Sequence, residues 1–443
     1  MTKNAFAKDL IQFIDKSPTA FHAVAEMVAR LEKAGFQRLD ETKPWKLKQG
    51  SGYFITRNDS AIIAFLLGER GAGYHIVGSH SDSPTFKIKP NPEMKIEKHY
   101  VTLNTEKYGG AILSTWLDRP LSVAGRLMLK SKDPMHPKTK LVRVDQDLLV
   151  IPNVAIHMNR EVNDGFKFNP QVDTLPLMTM GIGDENPAEM LKQVVAKAAG
   201  VKPEDIVGQD LYLYDRAGGS IVGLNNEFIS SGRLDNLAMA HVSIEALIDR
   251  FQSKKSKNKA TAICIVNDNE EVGSGSKQGA DSPFLQNLMR RLCHAEIDGT
   301  TPQQTGAEEL YQIALAKSFI ISADLAHAVH PNHPEHHDPT NRPLMGKGIV
   351  LKHSANMKYT TDADSAAVFK QLCDLAGEPY QEFVNRSDKL GGSTIGPITS
   401  SHIDIRGLDI GSPILSMHSV RELGSVDDHF GLFRILKEFY KQA

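Results

Sequence analysis

Apolar residues in the first forty positions recur three or four residues apart, which is the spacing of one face of a helix. The first set comprises Phe6, Leu10, Phe13 and Ile14, and the second comprises Phe21, Val24, Met27 and Leu31. A Ser-Pro pair at 17–18 separates the two sets and favours a turn. The pattern predicts two helices. Three β-rich runs follow, at 52–57, 60–68 and 73–80, and predict consecutive strands that end at His80.

The middle of the chain, roughly residues 92–228, has a different pattern from both ends. Short β-prone runs alternate there with breaks rich in Pro and Gly. One helical stretch, residues 188–199, interrupts them. The pattern predicts a β-rich module that is inserted into another domain.

After residue 228, helical and strand-like segments alternate. Helices are predicted at 235–252, 283–293, 366–376 and 427–440, and strands at 260–267, 318–323 and 413–416. Residues 1–91 and 229–443 together predict an α/β fold with a helix-covered sheet. The Lys-rich stretch 253–259 is predicted to be a solvated loop.

Composition narrows the class of protein. The 443 residues carry 51 basic and 53 acidic side chains, so the chain lacks the basic excess typical of a nucleic-acid binder. The longest apolar run, about residues 61–67, is far shorter than the roughly 20 residues of a membrane-spanning helix. The amphipathic N-terminus does not read as a signal peptide. Three cysteines without a CxxC motif favour reduced thiols and a cytoplasmic location.

Acidic and imidazole side chains follow several of the predicted strands directly. His80 ends one strand, Glu271 lies just after the strand at 260–267, Asp324 follows 318–323, and His418 follows 413–416. Asp235 opens a predicted helix. Because ligands of α/β sheets gather beyond the carboxyl ends of the strands, we expect these side chains to converge.

Imidazoles and carboxylates are the ligands of Zn²⁺ and related divalent ions in hydrolases. A pair of metal ions needs a bridging group, and a carboxylate can give one oxygen to each. Asp235 is the candidate bridge. One ion would take His80 and Asp324, and the other would take Glu271 and His418.

Two further carboxylates have candidate roles. Asp82 is placed to accept the other ring N–H of His80 and fix its tautomer, and Glu270 is the candidate general base. Each residue alone also has a structural explanation. Asp235 fits a helix N-cap, His418 fits a buried core histidine, and adjacent glutamates are common on solvated helix faces. Only their joint placement at strand ends favours the metal site.

Six motifs in one order carry a family resemblance. They are HSDSP at 80–84, GRLDNL at 232–237, NDNEEVGS at 267–274, SADLAHAVHPN at 322–332, GSTIGP at 392–397 and MHSVRE at 417–422. This set resembles the M18 metallopeptidases. The resemblance implies a three-layer α/β/α catalytic domain, an inserted β-rich dimerisation domain and dimers assembled into a tetrahedral dodecamer. It also implies two Zn²⁺ per chain, with Mn²⁺ or Co²⁺ as alternatives, held by His80, Asp235, Glu271, Asp324 and His418, with Glu270 as the base.

The resemblance extends to residues that would touch substrate. It implies that His157 reaches into a neighbouring subunit's active site and stabilises the reacting carbonyl; a β-strand histidine at the subunit interface is the alternative. Tyr359 matches a recurrent tyrosine of the family's substrate pocket, and Lys358 beside it is the basic residue available. Further candidate contacts are Asp388, Gly392, Ser393 and His330. Asn356 stands where Asp-selective members are expected to carry a lysine, which weighs against strict Asp/Glu selectivity. The five histidines at 327–337 are expected to lie on a loop at the active-site mouth, because prolines leave no regular element that would align their rings. Ordered histidines that face solvent are the alternative.

The sequence thus predicts a dinuclear zinc aminopeptidase that acts on peptides with a free N-terminus and has Asp and Glu as candidate N-terminal residues. Two other functions stay open. The same metal site could serve a deacylase or a carboxypeptidase, which would not require a free α-amino group. The assembly could also act as a catalytically silent scaffold or cargo protein, although such a protein has no need for Glu270 beside Glu271.

Overall fold

The computed structural model describes residues 2–253, 259–302 and 304–443. Most of the Lys-rich stretch 253–259, predicted to be a loop, lies outside the described residues. Within the described ranges, no helix combines the length and the apolar character needed to cross a membrane.

The helices lie where the apolar periodicity predicts them, with one addition at 304–316 and one at 395–402. They are α1 (Lys3–Lys16), α2 (Ala20–Ala34), α3 (Met190–Ala199), α4 (Leu234–Gln252), α5 (Phe284–His294), α6 (Gln304–Ala316), α7 (Ala363–Ala376), α8 (Ile395–His402) and α9 (Val426–Lys441). Local chemistry sets several ends. Asp362 and Ser365 form a capping box before α7, and Gly35 ends α2 in the left-handed region with φ 99°.

The strands alternate with these helices along the chain. In the first half they are β1 (Gln37–Arg38), β2 (Lys46–Leu47), β3 (Gly52–Arg57), β4 (Ala61–Leu66), β5 (Tyr74–His80), β6 (Thr85–Ile96), β7 (Tyr100–Tyr108), β8 (Leu121–Leu129), β9 (Lys138–Arg143), β10 (Leu177–Met180), β11 (Ile206–Asp215), β12 (Ser220–Val222) and β13 (Phe228–Ser231). In the second half they are β14 (Thr261–Asn267), β15 (Glu296–Ile297), β16 (Phe319–Ala323), β17 (Ala326–His327), β18 (Ile349–His353), β19 (Tyr380–Val384), β20 (Arg406–Gly411), β21 (Pro413–Ile414) and β22 (Glu422–Ser425).

A nine-stranded sheet forms the centre of the larger domain, in the order β1-β3-β4-β14-β5-β16-β20-β18-β19. Both of its faces are covered. In β4, Ile62 and Ala64 pack into the core beneath α1, α2, α4, α7 and α9, whereas Ile63 and Phe65 face the core beneath α5 and α6. Alternate side chains of one strand thus enter different cores, which confirms the predicted three-layer α/β fold.

The middle of this sheet brings the site residues to one edge. Strands β14, β5, β16 and β20 pair in parallel, so their carboxyl ends lie on the same side. Asn267 pairs with His80 at the end of two of these strands, and β16 ends beside them at Ala323. The residues that follow these strands therefore emerge together.

The β-rich insert forms a second sheet of six strands, in the order β10-β7-β6-β11-β8-β9. Its longest pairing is antiparallel and runs from Ile206–Leu129 to Asp215–Leu121. A separate apolar core, which includes Phe86, Trp116 and Val195, lies against it. The sheet begins with β6, ahead of the predicted boundary at 92, and the boundaries at 92 and 228 stay a prediction.

Two differences from the sequence-based expectation concern the C-terminal half. The pattern did not indicate β18, β19 and β20, which complete the sheet. The predicted strand at 413–416 is shorter, and β21 pairs with β17 in a sheet of two strands. His418 was expected to follow a strand of the central sheet, but it does not. It lies in a turn between Leu415 and Leu423, which bridge each other.

Candidate metal centre

His80 lies at the carboxyl end of β5, and its side chain is almost fully buried. Its Nδ1 lies 3.1 Å from the backbone carbonyl oxygen of Asp82 and 3.2 Å from Asp82 Oδ1. Its Nε2 faces the other way, 3.4 Å from Asp235 Oδ1 and 3.6 Å from Asp324 Oδ1. One nitrogen is thus held in place while the other points at two carboxylates.

His418 reaches the same place from the turn after β21, with a positive φ of 66°. Its Nε2 lies 3.6 Å from Asp235 Oδ2 and 3.4 Å from Glu271 Oε2. Its Nδ1 lies 3.2 Å from the carbonyl oxygen of Gly110. The two oxygens of Asp235 therefore face different histidines. Asp324 also lies near His80, and Glu271 also lies near His418.

These separations fit two divalent cations. Tetrahedral Zn²⁺ with bonds of 2.0–2.2 Å to nitrogen and oxygen places its ligand atoms about 3.3–3.6 Å apart. The four separations above, from 3.4 to 3.6 Å, match this spacing. In addition, Asp235 Oδ1 and Glu271 Oε1 are buried without a hydrogen-bond partner among the described residues. Buried polar atoms without a partner are costly, so the donor set fits a bound cation.

Glu422 holds two of these residues together. Its Oε2 accepts a hydrogen bond from the backbone N–H of Asp235 at 3.0 Å, and its Oε1 accepts one from the N–H of His418 at 2.9 Å. Burial and the charge of Asp235 raise the pKa of Glu422 to about 8. Both carboxylate oxygens of Glu422 nevertheless accept hydrogen bonds, which is the pattern of an ionised glutamate. No sequence pattern singled out this residue, although it lies in the MHSVRE motif.

Asp82 organises the turn that carries the two glutamates. Its carboxylate accepts from the backbone N–H groups of Glu270, at 3.2 Å, and Glu271, at 3.1 Å. The hydroxyl of Tyr108, at the end of β7 in the six-stranded sheet, donates to Asp82 at 2.7 Å. A residue of the insert thus braces the centre, which the sequence alone did not indicate.

The adjacent glutamates occupy different environments. Glu271 is turned towards His418, whereas Glu270 Oε2 lies 3.8 Å from His80 Nε2 and its side chain is 17% exposed. Burial first, and then the negative charges of Asp324 and Asp235, raise the pKa of Glu270 to about 7. Burial and Asp235 also raise the pKa of Glu271 well above its usual value. Glu270 is thus a carboxylate beside the centre that the two ligand pairs leave free.

The predicted substrate residues lie on loops. Tyr359 is buried and Lys358 is exposed, and the Oγ of Ser393 donates to the backbone carbonyl of Lys358 at 3.4 Å. Asp388 is held by a bidentate pair of hydrogen bonds from Arg386, both 2.8 Å. Gly392 and His157 are exposed, and His330 is half-buried. Their roles in substrate binding stay predictions.

One cation near the centre was missed. Lys352, on β18, is 3% exposed, and its Nζ lies 4.0 Å from Asp324 Oδ2 and 5.4 Å from the ring centroid of Tyr359. Its Nζ donates no hydrogen bond to any of the described residues. Lys352 follows the short apolar run 349–351, which was not assigned to a strand from the sequence.

The histidines at 327–337 lie on a loop, as expected, and the loop contains one short 3₁₀ turn, Pro334–His336, that was not expected. The ring centroids of His330 and His333 lie 5.3 Å apart, and those of His333 and His336 lie 5.4 Å apart. Neighbouring rings of the loop are therefore in contact, although only His336 belongs to the turn.

The family model of the aminopeptidase I zinc metalloproteases (M18) matches residues 13–440. The chain belongs to the M18 family of aminopeptidases.

Relatives in sequence and in structure cover the chain from end to end. A probable M18 family aminopeptidase 2 of Clostridium novyi (strain NT) is 50% identical over 441 residues, 99% of each chain. A chain in the cryo-EM structure of the Ape4 and Nbr1 complex superposes with a TM-score of 0.92 at 35% identity, over 99% of this chain and 86% of that one. The S. cerevisiae mApe1 dodecamer gives a TM-score of 0.84 at 28% identity, over 98% and 96% of the two chains.

Proposed function

We propose that this M18 protein is a dinuclear-metal aminopeptidase in which Asp235 bridges the two ions. The observation that supports the proposal is the position of the Asp235 carboxylate, with one oxygen near His80 and the other near His418. His80 and Asp324 would hold one ion, and His418 and Glu271 would hold the other. Two divalent ions, Zn²⁺ by the family's description, would supply Lewis-acid activation of the substrate carbonyl and of the attacking water.

Within this proposal, Glu270 is the general base. Its carboxylate lies beside His80 and outside both ligand pairs, so it is free to take a proton from the attacking water. It then delivers that proton to the departing amine of the cleaved peptide bond. Asp82 keeps Glu270 in position through the backbone N–H bond. A carboxyl with a pKa near neutrality suits both halves of this transfer.

We also propose that the enzyme prefers substrates with an N-terminal Asp or Glu, and that Lys352, rather than the exposed Lys358, is the cation that binds their side-chain carboxylate. Lys352 is buried, so a carboxylate that pairs with it would be desolvated and held strongly. Its distance of 4.0 Å from Asp324 places it beside a proposed ligand. Lys352 would thus supply the positive charge that is missing at Asn356, and an acidic N-terminal residue could still be selected.

The proposal includes a homo-oligomer, with a dodecamer as the expected form. The exposed loop around His157 carries apolar side chains that water solvates poorly. Val154 is 50% exposed, Ile156 43% and Met158 78%. Such a patch is typical of a protein–protein contact. The similar S. cerevisiae mApe1 forms a dodecamer, and in such an assembly His157 would lie near a neighbouring subunit. The predicted cytoplasmic location stays a prediction.

The test is a comparison of unblocked aminoacyl substrates with Asp, Glu, Leu, Ala or Lys at the N-terminus. Each is measured with and without a chelator, and Zn²⁺, Mn²⁺ or Co²⁺ is then restored singly. We expect chelator-sensitive release, fastest for Asp and Glu. An N-acetylated peptide of the same sequence serves as the control and should not be cleaved.

Three other outcomes would contradict parts of the proposal. Equal cleavage of the acetylated peptide would favour a deacylase or carboxypeptidase on the same metal site. Release led by Leu or Ala would keep the mechanism and refute the role of Lys352. Absence of release with every metal would favour the scaffold function.

A further inference from the structure

A second group of metal-ligating side chains lies on the surface loop that follows β17. His333, Glu335 and His336 are all exposed. His336 ends the 3₁₀ turn Pro334–His336, and His333 immediately precedes it. The rings of His333 and His336 lie side by side, with 5.4 Å between their centroids and 28° between their planes.

The ligand atoms of these three residues converge. His333 Nδ1 lies 3.2 Å from Glu335 Oε1, and His336 Nε2 lies 4.0 Å from the same oxygen. All three atoms lie within 4.8 Å of one another. Small rotations of two exposed side chains would bring them to the spacing that one transition-metal ion requires.

The ring of His330 lies beside this group and is tilted by 35° from the ring of His333. Its Nδ1 accepts a hydrogen bond from the backbone N–H of Asn332 at 3.2 Å, so in the neutral ring the proton is on Nε2. The ring centroid lies 5.3 Å from that of His333. His330 therefore limits the directions in which the His333 ring can turn.

The backbone of the turn is held by two arginines. Arg342 donates from Nη2 to the carbonyl oxygen of Pro334 at 2.9 Å, and Arg386 donates from Nη1 to that of Glu335 at 2.7 Å. Asp388 fixes Arg386 in turn. Because the turn is already ordered, a metal ion would have to order only the side chains, which lowers the entropic cost of binding.

We propose that His333, Glu335 and His336 form a surface site for a late first-row divalent ion, namely Zn²⁺, Ni²⁺ or Cu²⁺, with water completing the coordination. Two imidazoles and a carboxylate suit these ions better than Mg²⁺ or Ca²⁺. The site shares no residue with the proposed catalytic centre and does not depend on the proposed function. His336 also lines a cavity of about 270 Å³ together with His327 and Met417, so a bound ion would fix one wall of that cavity.

The experiment counts ions in the full-length enzyme as purified. The protein is titrated with Ni²⁺, desalted and analysed for all metals, so that exchange at the catalytic centre does not change the total. We expect one more ion per chain in the wild type than in the double variant His333→Gln/His336→Gln. In a parallel titration with Cu²⁺, the electron paramagnetic resonance spectrum of the added ion should show coupling to two imidazole nitrogens, which the variant loses.

The control is His136→Gln. His136 is also exposed and pairs with a carboxylate, Asp133, at 2.6 Å, but it has no second imidazole beside it. This variant should bind as many ions as the wild type. Equal ion counts in the wild type and the double variant would overturn the proposal, provided that both melt at the same temperature.

Discussion

Replacing Glu422 with Gln perturbs the centre without touching a proposed ligand side chain. The two side chains have nearly the same shape, so packing is conserved. However, the carboxylate accepts from two backbone N–H groups, those of Asp235 and His418. The amide of Gln keeps one acceptor and turns its NH₂ group towards the other N–H, which leaves a donor facing a donor.

The magnitude follows from these two hydrogen bonds. A hydrogen bond to a charged group contributes about 1.5–3 kcal/mol, and the variant loses the equivalent of one. Because Asp235 and His418 are held in place by these bonds, the loss appears as weaker metal binding. At about 1.4 kcal/mol per factor of ten, we expect an affinity roughly 10- to 100-fold lower, in the range typical for residues that position ligands.

The assay measures zinc occupancy against free zinc in chelator-buffered solutions. Glu422→Gln should reach half occupancy at a free zinc concentration roughly 10- to 100-fold higher than the wild type. Asp428→Asn is the matched control. Asp428 is also a buried carboxylate that accepts from two backbone N–H groups, Gly346 at 2.6 Å and Gly348 at 2.9 Å. Unchanged zinc binding in Glu422→Gln, or an equal shift in Asp428→Asn, would refute the argument.

Three other variants test separate parts of the structure. His418→Ala should lower the metal content from two ions per chain to one in elemental analysis, and a content still at two would contradict its assignment. Lys352→Met should reduce kcat/KM for Asp and Glu substrates and leave Leu substrates unchanged; an equal loss for both would show that it does not select the charge. Burial raises the pKa of Asp9, but hydrogen bonds from His241 and Arg30 outweigh it and bring this pKa below its usual range. The ionised carboxylate therefore stabilises the folded protein above about pH 4, and this contribution is lost on acidification. Asp9→Asn should therefore lower the unfolding free energy by about 1–3 kcal/mol at pH 7, and the difference should shrink below pH 4; a difference independent of pH would refute the linkage.

The strands at the centre of the sheet could be predicted from the sequence because they are buried on both faces. Runs such as residues 261–267 are almost entirely apolar and end abruptly in polar residues. That transition alone indicates that His80, Glu271 and Asp324 are neighbours in space. Helix periodicity was equally informative for α1, α2 and α9, since each buries one face.

The remaining elements lacked such a pattern. Strand β19 is an edge strand with mostly half-buried residues, and β20 begins with Arg406 and Gly407, so neither reads as a buried run. Glu422 positions the centre by accepting from the backbone N–H groups of Asp235 and His418. Tyr108 donates to Asp82 from the six-stranded sheet. Long-range contacts of this kind leave no local spacing to detect. The histidine loop differs, because its short 3₁₀ turn begins at Pro334, and prolines were expected to prevent a regular element there.

The central claim is that Glu270 transfers the proton while other residues hold the metal ions. The most direct measurement is therefore made on Glu270→Gln, with metal content and turnover of the preferred aminoacyl substrate determined on the same sample. We predict wild-type metal content together with a loss of turnover of about 10²- to 10⁴-fold, the usual contribution of a general base. Turnover near the wild-type rate with both ions bound would contradict the claim.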